Sequence, residues 1–308
     1  MALEPRRFAN LDEIKASFNW VPRIEIDSSE VEKFIGDYSF RQAEPCALAD
    51  CQTRHKNGFV ALSRSGLAFL VGHICGKRRW ELVYGEHAKR YYARQRFIAT
   101  SGQIANALAQ EYAVKLHLRE LYDRNPHGLK WVARARLGLA RSLPRTIYER
   151  LMKMARRGET QITRQRLASP DERELRRMTG SRVPENESLY IDENIGALDG
   201  LIAIREDIDA PRVNILSGFE RYRATDPAAL TARERVDAKK WVQALSSNIS
   251  VLDQVVMAAP RFFCAANFQL FVELTANFRE RSFLTNCAYW DFARGHAIKQ
   301  FDDWRNVA

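Results

Sequence analysis

The chain has 308 residues, 46% of them hydrophobic, and a formal charge of +10 from 48 basic and 38 acidic side chains. That apolar content is enough to fill a core, which excludes wholesale disorder, and the length admits one large domain or two to three small ones. No apolar run approaches the roughly 20 residues of a membrane helix, and Met1-Ala2-Leu3-Glu4-Pro5-Arg6-Arg7 has no apolar segment behind it to make a signal peptide. Five cysteines, an odd number clustered with histidines, suit a reducing cytoplasm better than a disulfide framework. Cys264 and Cys287 lie in apolar helical surroundings and read as core thiols.

Residues 1–44 read as a lead-in. Asp27-Ser28-Ser29 predicts the cap of a helix through Glu30 to Ile35, with Glu32 three residues beyond Ser29 as in a capping box. Trp20, Phe34, Ile35, Tyr38 and Phe40 require burial and are expected to pack on the segment that follows.

That segment, Pro45–Trp80, concentrates metal-ligand residue types as no other stretch does: Cys46, Cys51, His55, His73 and Cys75. Structural zinc takes four thiolate or imidazole ligands in a tetrahedron. Cys46 and Cys51 sit at a spacing that a tight knuckle can close around one ion, and His55 follows within reach. Phe59–Leu62 and Leu67–Val71 read as two strands joined by a Gly-containing turn, hence a hairpin. Gly72 and Gly76 bracket His73-Ile74-Cys75, and helical character starts at Lys77. The predicted ligand set is Cys46, Cys51, His55 and Cys75. His73 can replace His55 or support a ligand by a hydrogen bond. The competing reading is three buried thiols and two surface histidines. No HExxH helix is present and no carboxylate sits among the ligands, so the expected zinc is structural.

The pattern C-x4-C-x3-H-x2-G-F-V, then G-x5-G-x2-C-G, resembles an N-terminal motif of uncharacterised proteins from proteobacteria and their phages, and is similar to treble-clef zinc modules as a broad group. The resemblance covers about a tenth of the chain, implies a metal and carries no reaction with it.

Residues 77–124 predict one long helix, broken near Thr100-Ser101-Gly102. Lys77, Arg78, Arg79, Lys89, Arg90, Arg94 and Arg96 cluster at its front, interleaved with Tyr84, Tyr91, Tyr92 and Phe97. Arginines on phosphates with rings on bases hold single-stranded nucleic acid; the spacing also suits rings facing a core and arginines facing water. From Gly76 to Val183 there are 25 basic and 10 acidic residues, so the positive charge belongs to this region.

Asn125-Pro126-His127-Gly128 marks a break, followed by basic amphipathic helices at 129–142 and from Pro144 onward. A short strand is expected within 158–167, and Ser169-Pro170 starts another helix. Arg182–Glu187 reads as a linker. From Ser188 the apolar spacing predicts helix again, a longer helix opens at Asp226-Pro227 and ends at Pro260, and an aromatic helix follows through Phe278. Tyr289, Trp290, Phe292, Phe301 and Trp304 continue the aromatic habit.

The expected fold is mainly α, with a small zinc-binding, treble-clef-like β-hairpin module, long basic helices and a C-terminal helical bundle. The expected divisions are 1–84, 85–183 and 184–308. With no P-loop, GxGxxG or GxSxG, no small-molecule substrate is evident. The leading functional expectation is a non-enzymatic, zinc-stabilised nucleic-acid-binding protein, phage-encoded or phage-related. The alternative is an assembly factor, either an oligomeric scaffold or an inhibitor of a host or defence protein, acting through its aromatic C-terminal half. The third is a metal-dependent nuclease using His73.

Overall fold

The computed structural model describes residues 4–178 and 190–287. These residues are mostly helical, with one four-stranded and one two-stranded sheet. They divide into two compact units, one from Met1–Asn106 with Thr225–Arg235 and the other from Ala107–Ala224 with Val236–Ala308. The division expected at 84 falls inside a helix, and the linker at 182–187 and the aromatic tail at 289–304 lie outside the described residues.

The first unit is built on a sheet of β1 (Arg6–Phe8), β2 (Val31–Pro45), β3 (Arg54–Ser63) and β4 (Ala68–Gly72), in that spatial order, with α1 (Leu11–Ser17) between β1 and β2 in sequence and α2 (His73–Ala109) after β4. β1 runs parallel to β2; β2–β3 and β3–β4 are antiparallel. The expected hairpin is β3–β4. Its turn closes through a Gly66 N–H donating to the Ser63 carbonyl at 3.0 Å, with Gly66 at φ 84°, a conformation glycine adopts without Cβ strain.

The helix expected over Glu30–Ile35 is not formed. Residues Ser28–Glu30 make one 3-10 turn, closed by Asp27 and Glu30, and β2 follows. The physical reason lies in what each side of β2 covers. Val31 and Phe34 join Phe59, Phe69, Val71, Trp80, Tyr84 and Tyr91 in one core. Ile35, Tyr38 and Phe40 join Phe8, Ile14, Val60 and Leu70 in the other. A strand buried on both faces loses simple alternation, and register shifts at Val31/Lys33 and Phe34/Gly36 bring its apolar residues to positions 31, 34, 35 and 38, the spacing of a helix face.

α2 changes direction at Glu81, whose φ of 38° and ψ of −107° are not helical. Trp80 and Tyr84, both buried, pin the helix to the sheet on either side of this residue. The break expected at 100–102 is absent: Gly102 sits in open helix, and the interruption falls at Gln110, before α3 (Glu111–Asp123).

In the second unit, α4 (Leu129–Ser142) and α5 (Arg145–Arg157) match the expected amphipathic helices, and α5 buries Ile147, Leu151 and Met154 before ending on Gly158 at φ 68°. β5 (Gln161–Leu167) precedes α6 (Pro170–Met178), where Ser169 and Glu172 exchange capping hydrogen bonds of 3.2 and 2.8 Å. The segment after 188, expected as helix, is β6 (Tyr190–Ala197), antiparallel to β5. Ile191 and Ile195 fit both a helix turn and a strand, and the alternating exposure of Tyr190–Ile195 is that of a strand. α7 (Ile202–Arg205) and α8 (Asp209–Tyr222) lead to α9 (Ala232–Phe262). α9 starts five residues later than expected, after Thr231 and Glu234 close a capping box, and carries Pro260 within its last turn. The aromatic stretch forms α10 (Ala265–Phe271), a 3-10 turn and α11 (Phe278–Cys287) rather than one helix. Among the described residues no single helix is long and apolar enough to cross a membrane.

Gly58 on β3 leaves no room for a side chain: a Cβ there would overlap the Val71 carbonyl oxygen and the Tyr38 hydroxyl. Gly58→Ala is therefore expected to destabilise the chain by about 1–3 kcal/mol, the usual cost of overpacking. Urea unfolding followed by tryptophan fluorescence measures it, and an unchanged midpoint contradicts this packing.

Candidate metal centre

Cys46 directly follows β2, Cys51 lies in the turn before β3, and Cys75 is in the first turn of α2. Backbone bonds shape the knuckle between the first two. Cys46 N–H donates to the Thr53 carbonyl at 3.0 Å, Cys51 N–H to that of Leu48 at 2.9 Å, and Ala47 N–H to that of Leu70 on β4 at 3.0 Å. Arg23 Nε reaches the Ala49 carbonyl at 3.0 Å, and Arg79 forms an ion pair with Asp50, which ties the knuckle to α2.

The three Sγ atoms lie within 4.8 Å of one another, and those of Cys51 and Cys75 are 3.4 Å apart. Three sulfurs on one tetrahedral zinc are about 3.8 Å apart, given a metal–sulfur bond of about 2.3 Å. The cluster has the dimensions and donor chemistry to hold a metal ion.

Its electrostatics are divided: two sulfurs are held toward the neutral thiol and the third toward the anion. Burial pushes the Cys46 thiol up to about 12, against the Leu48 and Gly72 backbone N–H groups that favour its anion. Burial also raises Cys75, and the neighbouring Cys51 adds to the shift. At Cys51 burial opposes ionisation, but the backbone N–H and hydroxyl of Thr53 and the other two thiols outweigh it, so the net shift is downward. Three thiolates in one buried place repel, and a cation removes that repulsion.

His55 and His73 lie outside the group of three. His55, on β3, shares a 2.6 Å hydrogen bond between Nδ1 and the Tyr38 hydroxyl, while its Nε2 is buried without a partner. Its ring rests against Gly72, whose N–H serves Cys46. His73 Nδ1 is 2.8 Å from the Tyr84 hydroxyl, and its ring meets Phe59 edge-on. Sequence reasoning missed Thr53, Tyr38 and Tyr84. Only Thr53, two residues beyond a cysteine, carried a local signal.

Lys77, Arg78, Arg79, Lys89, Arg90, Arg94 and Arg96 are all exposed on α2, which carries seven basic and two acidic residues. Arg79 pairs with Asp50, Arg90 with Glu86 at 3.3 Å, and Arg96 Nε donates to the Tyr92 carbonyl at 3.3 Å. Among the described residues Lys77, Arg78, Lys89 and Arg94 form no ion pair. The interleaved rings face inward: Tyr84 and Tyr91 are buried, Tyr91 bonds Asp37 at 2.7 Å, and Arg235 covers Phe97 at 4.0 Å. Tyr92 remains 42% exposed.

No family model, curated protein or solved structure matches the chain.

Burial lowers His55, His73 and His87 from their ordinary value; the charge of Arg90 adds to the shift at His87, and Glu86 opposes it. A histidine held neutral by the fold contributes stability that is complete above its unfolded value of about 6.5 and is lost as pH falls below it. In chelator, the urea midpoint is expected to fall between about pH 7.5 and about pH 5. A midpoint that holds or rises over that interval contradicts the neutral state assigned to these rings.

Proposed function

We propose that this is a non-enzymatic nucleic-acid-binding protein whose first unit is organised by a zinc ion on Cys46, Cys51 and Cys75. The carrying observation is the exposed, largely unpaired row of cations on α2, a helix whose first turn holds Cys75. Lys77, Arg78, Lys89 and Arg94 contact phosphates. The inward packing of Tyr84, Tyr91 and Phe97 leaves backbone contact, rather than base stacking, as the main mode of binding. The ligand preference for soft thiolates, with no carboxylate in the group, supports zinc over magnesium or calcium.

His55 is the candidate for the fourth ligand through Nε2, once its ring turns in from its place outside the group of three sulfurs. That atom is buried and without a partner, and Tyr38 orients the ring through the opposite nitrogen, as partners of metal-bound histidines do. His55→Ala is expected to weaken zinc by at least the roughly 10- to 100-fold that loss of a supporting partner costs, with His73→Ala close to wild type. The reverse order in a competition titration with a chromogenic chelator assigns the position to His73.

Binding to DNA or RNA is tested by salt titration. The triple change Arg78→Glu, Lys89→Glu and Arg94→Glu is expected to reduce the slope of log K against log salt by about 2–3, from about 0.7–0.9 per phosphate contact. Salt-insensitive binding, or none, overturns the reading. A protein partner is the second reading, favoured by Ile74 and Leu82, apolar side chains 80% and 83% exposed beside these cations. The aromatic C-terminal half favours it less, because Phe262, Phe263, Phe268 and Phe271 are interior.

A further inference from the structure

The three cysteines are not equivalent. Cys46 and Cys75 are buried, whereas Cys51 is half-buried in the turn before β3 and gives the cluster its solvent side. The two sulfurs 3.4 Å apart are those of Cys51 and Cys75, which sit on different elements, the knuckle and the first turn of α2. At 3.4 Å the two sulfurs are the pair from which a disulfide of about 2.05 Å can form. The pair also joins the half-buried sulfur to a partner already in van der Waals contact with it.

We propose that Cys51 and Cys75 form a peroxide-sensitive dithiol whose oxidation to a disulfide empties the metal centre. The proposal rests on the metal reading for its consequence, though not for the identity of the pair. Cys51 thiolate attacks one peroxide oxygen; the O–O bond breaks, hydroxide leaves, and Cys51 becomes a sulfenic acid. Cys75 thiolate then attacks the Cys51 sulfur, the S–O bond breaks, and a second hydroxide leaves. Two thiolates lose two electrons, one hydrogen peroxide gains them, and one S–S bond forms. Of the three sulfurs only that of Cys46 then remains free to bind, and one sulfur with at most one histidine is too few donors to retain the ion. Reduction by an external dithiol regenerates both thiols.

The full-length chain, loaded with zinc, is treated with stoichiometric hydrogen peroxide. Released metal is read with a chromogenic chelator, thiols are counted, and disulfides are mapped by mass spectrometry. The expected result is loss of two thiols per chain, a peptide pair joining Cys51 to Cys75, parallel metal release, and recovery with dithiothreitol. Cys46→Ser must still form the same disulfide, with or without metal, whereas Cys51→Ser must lose the reversible two-thiol step. A disulfide through Cys46, an irreversible sulfinic acid at Cys51, or unreactive thiols overturns the proposal. If the chain proves not to hold zinc, disulfide mapping alone still decides the pair, so the two readings fail separately.

Discussion

Three sulfur atoms brought together at the meeting point of a turn and a helix are the constraint from which the first unit follows. Left as thiols they are three poor hydrogen-bonding groups occupying buried space; ionised without a cation they repel. Cys46 nonetheless accepts N–H groups from Leu48 and Gly72, and Cys51 accepts one from Thr53, contacts that favour the anion at those two sulfurs. A cation there would resolve the conflict and would tie the knuckle to the start of α2, Cys51 and Cys75 being 24 positions apart in sequence, a link that closes a loop of chain.

The sheet beneath carries that link to the rest of the unit. β2 separates two apolar layers, and Phe34 stacked on Phe59 at 4.5 Å belongs to the layer that receives Trp80, Tyr84 and Tyr91 from α2. Because the inner face of α2 is committed to this layer, its lysines and arginines are left facing solvent. The same packing explains the hydroxyl pattern: Tyr38, Tyr84 and Tyr91 place their rings in the core and their oxygens on His55, His73 and Asp37 respectively. A positive surface and an ordered polar layer are two consequences of one docking arrangement.

Much of this was legible in the residues. The hairpin followed from short β-rich runs around Ser63–Gly66, and the clustering of Cys46, Cys51 and Cys75 followed from their position around it. α4 and α5 followed from clean periodicity bounded by Gly128, Pro144 and Gly158. β2 and β6 were not legible, for a shared reason. In β2 the bulges and two-sided burial give helix-like spacing, and in β6 Ile191 and Ile195 are four apart, so short apolar runs admit either period. The start of α9 was misplaced because Asp226-Pro227 offers a proline start while Thr231–Glu234 supplies the capping box that forms. Around the cysteines, the partners of the two histidines were invisible, since Tyr38 and Tyr84 meet them only through strand pairing and helix docking.

An ion bound by thiolates, joining knuckle to helix, has a spectroscopic signature that X-ray absorption at the zinc edge reads on the purified full-length chain. The expected spectrum is that of about one zinc per chain with three sulfur neighbours at about 2.3 Å and one nitrogen at about 2.0 Å. A chain without stoichiometric metal, or an ion surrounded only by oxygen and nitrogen, contradicts it.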